Sequence, residues 1–214
     1  AIGSKLLVCN GIYEGYRFWQ RYDGYMEFLS YSPLDGIMSE GLWYQCKGAW
    51  MSKEQWLACL DFLVFIQDNF LKETSERVFV TLCKLQTSGG DPYPLPPSCT
   101  EEQMVTYGFA STLLGVKTNQ NYLGFLIADV DFVTRVVQPL YNIDVGTPVN
   151  DYYVIEGTHV YARDFSNVKV LVNPSSNSYV IDLQGTFKIL DGEVVTEVTI
   201  EDHTGMILIK VEGA

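Results

Sequence analysis

Three features of the sequence predict an α/β fold: short continuous apolar runs, helical stretches between them that open on capping signals, and a switch to period-two patterning near Asp144. Residues 5–140 read as alternating strands and helices, which implies parallel strands joined by right-handed crossovers. These make four βα units, half the complement of an eight-stranded barrel. The remainder implies a small antiparallel β-domain of about six strands. The change of pattern puts the boundary around residues 141–150, with a partial barrel over 1–143 and the β-domain over 144–214.

The elements follow in order. Residues 5–9 (Lys-Leu-Leu-Val-Cys) read as a strand buried on both faces, with Asn10-Gly11 opening a loop. Residues 16–29 form a weakly helical, aromatic-rich segment, and residues 35–42 a second strand. Ser52 and Gln55 have capping-box spacing and start a helix to about Lys72, with Trp56, Leu60, Leu63 and Phe70 on or near its buried face. Residues 77–82 are β-branched and aromatic, the third strand. A loop with Gly89-Gly90 and four prolines cannot be helix or central strand. Thr100 and Gln103 form a second capping box, opening a helix to about Leu114. Residues 121–128 supply the fourth strand and residues 131–140 a short helix. Beyond the boundary, strands fall at residues 152–155, 159–163, 168–172, 179–183, 193–198 and 205–210, separated by turn signals at Asn173-Pro174, Asp191-Gly192 and His203-Thr204-Gly205.

The candidate site centres on residues 34–43. There a short apolar segment delivers one carboxylate, Glu40, beside Gly41 and Trp43. A barrel enzyme presents its acid this way, at the carboxyl tip of a strand; the plain alternative is a solvated strand-end glutamate. Asp35 starts the same strand and reads as a turn or cap residue or as a second polar group of the site. Trp43, Tyr44, Trp50 and Tyr93 are candidates to stack on sugar rings or to pack loop against loop. Asn10 either bonds a sugar hydroxyl or makes the Asn-Gly turn. Glu14, Asp91, Asp129 and Asp131 are further acids beyond strand ends.

Composition narrows the function. A net charge of −12 with no basic run disfavours nucleic acid and anionic membranes as partners. No stretch reaches the ~18 apolar residues of a membrane span. The five cysteines show no CxxC spacing, so no zinc site is expected; Cys46 and Cys99 lie in loops and could pair in an oxidising compartment. His159 and His203 are isolated in the β-domain, which disfavours a metal site or a serine-type triad. No phosphate-binding glycine loop is present. Arg163-Asp164 reads as a structural ion pair at the interface with the barrel.

Two segments carry a resemblance. Asp35-Gly36-Ile37-Met38-Ser39-Glu40 has the form Asp-Gly-x-x-x-Glu. Arg163-Asp164-Phe165 followed by Val168-Lys169-Val170-Leu171-Val172-Asn173-Pro174 has the form Arg-x-Phe, then apolar-Asn-Pro. On these residues the chain resembles, over nearly its whole length, glycosyl hydrolases of the (β/α)8-barrel class with a C-terminal β-sandwich. The resemblance implies the C-terminal half of a TIM-type barrel, strands five to eight, followed by a small antiparallel β-sandwich domain. It implies Glu40 as general acid/base and a polysaccharide as substrate. Asn10, Asp35, Trp43, Tyr44 and Asp129 would be substrate-binding, with no cofactor and an extracellular or secreted setting. Glycoside hydrolysis needs two carboxylates. In related barrels the partner often ends strand four, which this chain does not contain.

Three readings follow: the C-terminal part of a polysaccharide-cleaving enzyme, a non-catalytic carbohydrate-binding or structural extracellular protein on a degenerate hydrolase fold, or a fragment. The start at Ala1-Ile2-Gly3-Ser4, without initiator Met or signal peptide, favours a processed chain or a piece of something longer. Half a barrel also leaves sheet edges that the missing half or another protein chain is expected to cover.

Overall fold

The computed structural model describes residues 8–13, 35–43, 48–71, 78–83, 95–117, 123–127, 140 and 142–211. The chain divides into two compact units, Ala1–Pro97 with Gly115–Ala128, and Ser98–Leu114 with Asp129–Ala214. The expected helix at residues 16–29, that at 131–140 apart from Leu140, and residues 89–94 of the proline-rich loop lie outside the described residues.

In the first unit, β1 (Val8–Tyr13), β2 (Gly36–Glu40), β3 (Val78–Cys83) and β4 (Leu123–Ile127) make a parallel sheet in the order β1-β2-β3-β4. Each strand is laid beside its predecessor, as crossovers of one hand dictate. The first strand departs from expectation. It runs through Asn10-Gly11 to Tyr13, with Asn10 opposite Met38 and a register shift between Asn10 and Ile12. Gly11 is the extra residue of this bulge, where the absence of a Cβ eases the bend, so Asn10-Gly11 is strand and not turn.

Helix α1 (Lys53–Ile66) has the capping box its sequence predicts. The Gln55 backbone N–H donates to Ser52 Oγ at 3.2 Å, and the Ser52 N–H to Gln55 Oε1 at 2.9 Å. Trp56, Leu60 and Leu63 are fully buried. Phe62 meets Phe79 of β3 edge-on, 6.0 Å between ring centres, which holds the helix on the sheet. The α-helix stops at Ile66, short of the predicted Lys72, and continues as a π-helical turn, Gln67–Leu71. Gln67 accounts for this change. Its buried amide donates to the carbonyls of Leu63 (3.0 Å) and Gly115 (2.7 Å) and accepts from the Lys117 N–H (2.9 Å), so the chain widens around a satisfied side chain.

The second unit holds helix α2 (Glu101–Gly115) up to Leu114 and a six-stranded antiparallel sheet. The strands are β5 (Tyr153–Val154), β6 (Tyr161–Asp164), β7 (Val168–Asn173), β8 (Tyr179–Lys188), β9 (Val194–Ile200) and β10 (Thr204–Lys210), in spatial order β5-β6-β7-β10-β8-β9. All six predicted strands form, but β8 is ten residues long, twice its predicted length. The pairing of β10 with β8 is confined to Ile209–Lys188 and Lys210–Phe187. The sheet therefore folds at this corner into two leaves, as a β-sandwich does, with Ala162, Leu171 and Leu208 facing Ile181, Leu183 and Ile200 across the core.

Three polar or small residues tie this unit together. Gly205 of β10 lies against α2 so closely that a Cβ there would stand 2.8 Å from the Ala110 Cβ and 2.9 Å from the Thr106 carbonyl oxygen. Its sequence context suggests a turn glycine; it is a packing glycine. Arg163, 4% exposed, donates through Nη1 to the Leu114 carbonyl at 2.7 Å and through Nε to the Asn150 carbonyl at 2.9 Å. It therefore caps the carboxyl end of α2 and is not the ion-pair partner of Asp164. Phe165 lies under its guanidinium, 5.4 Å from ring centre to Cζ. Asn173 is fully buried. Its Nδ2 donates to the carbonyls of Asn177 (2.6 Å) and Glu201 (2.8 Å), and its Oδ1 accepts from the Ser175 N–H and hydroxyl. The Arg-x-Phe and apolar-Asn-Pro pattern thus has a structural explanation.

The second capping box is half formed. Thr100 Oγ1 accepts from the Gln103 N–H at 3.0 Å, but the Gln103 amide reaches the Asp202 and His203 carbonyls, both at 3.3 Å, instead of returning to Thr100. Among the described residues no helix is long and apolar enough to cross a membrane.

Candidate functional site

Glu40 closes β2, with Tyr13 of β1 and Leu82 of β3 as its Cα partners on either side. It therefore sits on the carboxyl edge of the parallel sheet, the edge at which open and closed α/β sheets bind ligands. Gly41 follows in the left-handed region, φ +65°, and turns the chain sharply away from the strand. Leu42 and Trp43 are then buried, Trp43 only 3% exposed and tilted against Trp56 with 6.2 Å between ring centres. Trp43 thus anchors the turn after Glu40 in the core and offers no open face for stacking.

The other predicted site residues are scattered. Asn10 is on the neighbouring strand, opposite Met38, two positions short of the Glu40 level on β2. Asp35 precedes β2 at its amino end, and its carbonyl accepts the Val78 N–H at 2.8 Å. A five-residue strand at about 3.3 Å per residue separates it from Glu40, so the structure does not bring the two acids together. Tyr44 and Asp129 lie outside the described residues, as do Glu14, Asp91, Tyr93 and Asp131. Cys46 does as well, while Cys99 is a free thiol that burial pushes up to about 12, so thiolate is scarce at neutral pH.

A second locus lies in the folded β-sheet. A cleft of about 740 Å3 opens between the Tyr153–Thr158 region, Asp164 and Lys169 on one side and residues 180–184 of β8 on the other. Lys169 Nζ holds Asp164 Oδ1 at 2.8 Å and donates to the Tyr153 hydroxyl at 2.9 Å. That hydroxyl donates in turn to Asp164 Oδ2 at 3.0 Å, and Asn150 Nδ2 to the same oxygen at 3.2 Å. Burial alone would raise the Asp164 carboxyl, but the hydrogen bond and charge of Lys169, with Asn150 and Tyr153, outweigh it and hold the group below the usual carboxylate range. Burial opposes the Lys169 charge too, yet Asp164 and Tyr153 hold the ammonium above its ordinary value. The Tyr153 hydroxyl is pushed up, chiefly by burial. The cleft therefore has a wall of oriented polar groups in fixed protonation states.

On the opposite wall β8 breaks its register against β9 between Asp182 and Phe187. Gln184 takes φ +53° there, although Gly185 is its neighbour, and its N–H donates to Asp182 Oδ1 at 2.9 Å. A non-glycine residue held in this region costs on the order of 1–3 kcal/mol.

No family model matches the chain, and no curated protein matches it. Among solved structures, Eubacterium rectale Amy13B is similar at 11% identity and a TM-score of 0.48, with 96% of this chain and 53% of that one covered. A catalytic mutant of Gan42B, a GH42 beta-galactosidase from G. stearothermophilus, is similar at 12% identity and a TM-score of 0.22, covering 84% and 32%. The chain spans about half the length of the first and a third of the second.

Sequence reasoning passed over the cleft. Gln184-Gly185 lies past the predicted end of its strand at residue 183, so its glycine reads as a strand end. It becomes the mark of a bulge only once β8 runs on to Lys188. Asp164 and Lys169 gave no signal, because the two meet only when β6 pairs with β7.

Proposed function

We propose that this chain is the C-terminal part of a polysaccharide-cleaving glycoside hydrolase, with Glu40 as its acid/base carboxylate. One observation carries the reading: a parallel sheet in the strict order β1-β2-β3-β4 ends its second strand on a carboxylate followed by a left-handed glycine. Sequentially ordered parallel strands are what half of a (β/α)8 barrel consists of. On this reading Glu40 protonates the glycosidic oxygen as the bond to the anomeric carbon breaks, and its carboxylate then takes a proton from the attacking water. The second carboxylate comes from barrel strands outside this chain. Asn10 and Tyr44 contact the sugar, and buried Trp43 holds the turn that positions Glu40. The setting is extracellular, where polysaccharide substrates are met.

The test begins with intact mass and native size exclusion of the protein from its natural source. A mass above the 24.2 kDa of this chain, or a co-eluting second chain, is expected. Glycan hydrolysis by that assembly should fall at least ~100-fold in Glu40→Gln, the scale of lost acid/base catalysis. An unchanged rate removes Glu40 from the mechanism. A native mass equal to this chain, with no hydrolysis, removes the enzyme reading.

A further inference from the structure

We infer that the cleft beside β8, lined by residues of the second unit, is a non-catalytic saccharide-binding site. Its lining holds three carboxylates, Glu156, Asp164 and Asp182, against one ammonium, Lys169, so it repels anionic ligands. The Lys169–Asp164–Tyr153 network is internally neutralised and rigid, and it presents a hydroxyl and a carboxylate in fixed orientations. Beside these polar groups the same cleft exposes Val154 (50%) and Val180 (61%), apolar surface that no core contact explains. A pyranose has this division of character: hydroxyls that donate to carboxylates and accept from amides around its rim, and an apolar C–H face.

The strain at Gln184 points the same way. A bulge that needs one left-handed residue would be relaxed with φ > 0 at Gly185, yet the conformation falls on Gln184, in the cleft wall. Backbone strain of this kind clusters at ligand-binding sites, where the surrounding structure holds it. Gln184 brings an amide to this wall, a group that donates and accepts at once, as vicinal sugar hydroxyls require.

The choice of a saccharide rests on the carbohydrate reading above; the cleft and its strained wall do not. The 214-residue chain is run on native gels cast with dissolved xylan, mannan or starch, together with Gln184→Gly, Asp182→Asn and Glu40→Gln. Retardation by at least one polysaccharide is expected for the parent and for Glu40→Gln. The dissociation constant should rise at least tenfold in Gln184→Gly and Asp182→Asn. Gln184→Gly should unfold at the parent's midpoint or above, since glycine relieves the strain, which separates lost binding from lost folding. No retardation by any of the three polysaccharides overturns the site, as does undiminished retardation in both cleft variants. Retardation lost only in Glu40→Gln also overturns it, and moves the sugar to the β2 edge while the hydrolase reading stands. No hydrolysis by the parent from its natural source, with retardation retained, does the reverse: the cleft stands and the hydrolase reading falls.

Discussion

Asn173 shows how much one side chain can organise. It is buried at the end of β7, where its amide donates to carbonyls of two different loops and its oxygen orders Ser175. Removing it strands acceptors inside the protein, which is more damaging than losing the bonds themselves. Asn173→Ala should therefore destabilise the fold by about 2–4 kcal/mol in denaturant unfolding. Asn173→Asp tests the argument, because it keeps the shape and the Oδ1 acceptor but loses the donor. It should be at least as damaging as alanine; a near-neutral aspartate would show that the Nδ2 bonds contribute little. From sequence, Asn173-Pro174 was legible as a turn signal and as part of the apolar-Asn-Pro segment, neither of which gives the side chain's partners. A donor's targets at positions 177 and 201 are set by how β8 and β9 return past β7, and no local pattern reports that.

At the scale of elements, most of the second unit's strands were legible, because alternation of period two survives wherever one face is buried. What was not legible is how α2 meets β10. Gly205 looks like part of a turn, yet its hydrogen in place of a side chain lets the helix backbone approach the strand. Gly205→Ala should cost about 1–3 kcal/mol, the overpacking penalty, since its neighbours include backbone atoms that cannot rotate aside. A thermal unfolding midpoint within a degree of the parent would refute the close approach. The same limit explains Gln103 and Gln67. Capping-box spacing predicts where an amide can reach along its own helix, and tertiary neighbours then compete for it. Gln55 completes its box; the Gln103 amide goes to the Asp202–His203 turn instead.

For the whole molecule, the Lys169–Asp164 pair links the β-domain's stability to pH. Asp164 titrates below its ordinary range when folded, so its contribution is complete above the unfolded carboxylate value, about 3.9, and is lost as pH falls through the folded one. Lys169 titrates above its ordinary value, so its contribution is complete below about 10.4 and is lost as pH rises through the folded one. Lys169→Met should destabilise the protein by about 1–3 kcal/mol at pH 7. That difference should stay level across neutral pH and shrink in acid below about pH 4 and in alkali above about pH 10. Denaturant titrations of both proteins at about pH 2.5, 7 and 11.5 would show it. A difference independent of pH would mean that Lys169 acts through packing alone.

By itself the sequence determined the elements: parallel-type apolar strands, two capped helices, six alternating strands and Glu40 at a strand end. These are local properties, set by periodicity, capping and burial within a few residues. The tertiary structure alone decided which groups meet. It separated Asp35 from Glu40 along one strand, buried Trp43 on Trp56, and gave Arg163 to a helix end instead of to Asp164. It also built a cleft from residues far apart in the chain, Tyr153, Lys169 and Gln184. The reason is that a side chain's partners depend on strand order and register, which arise only when distant segments pair.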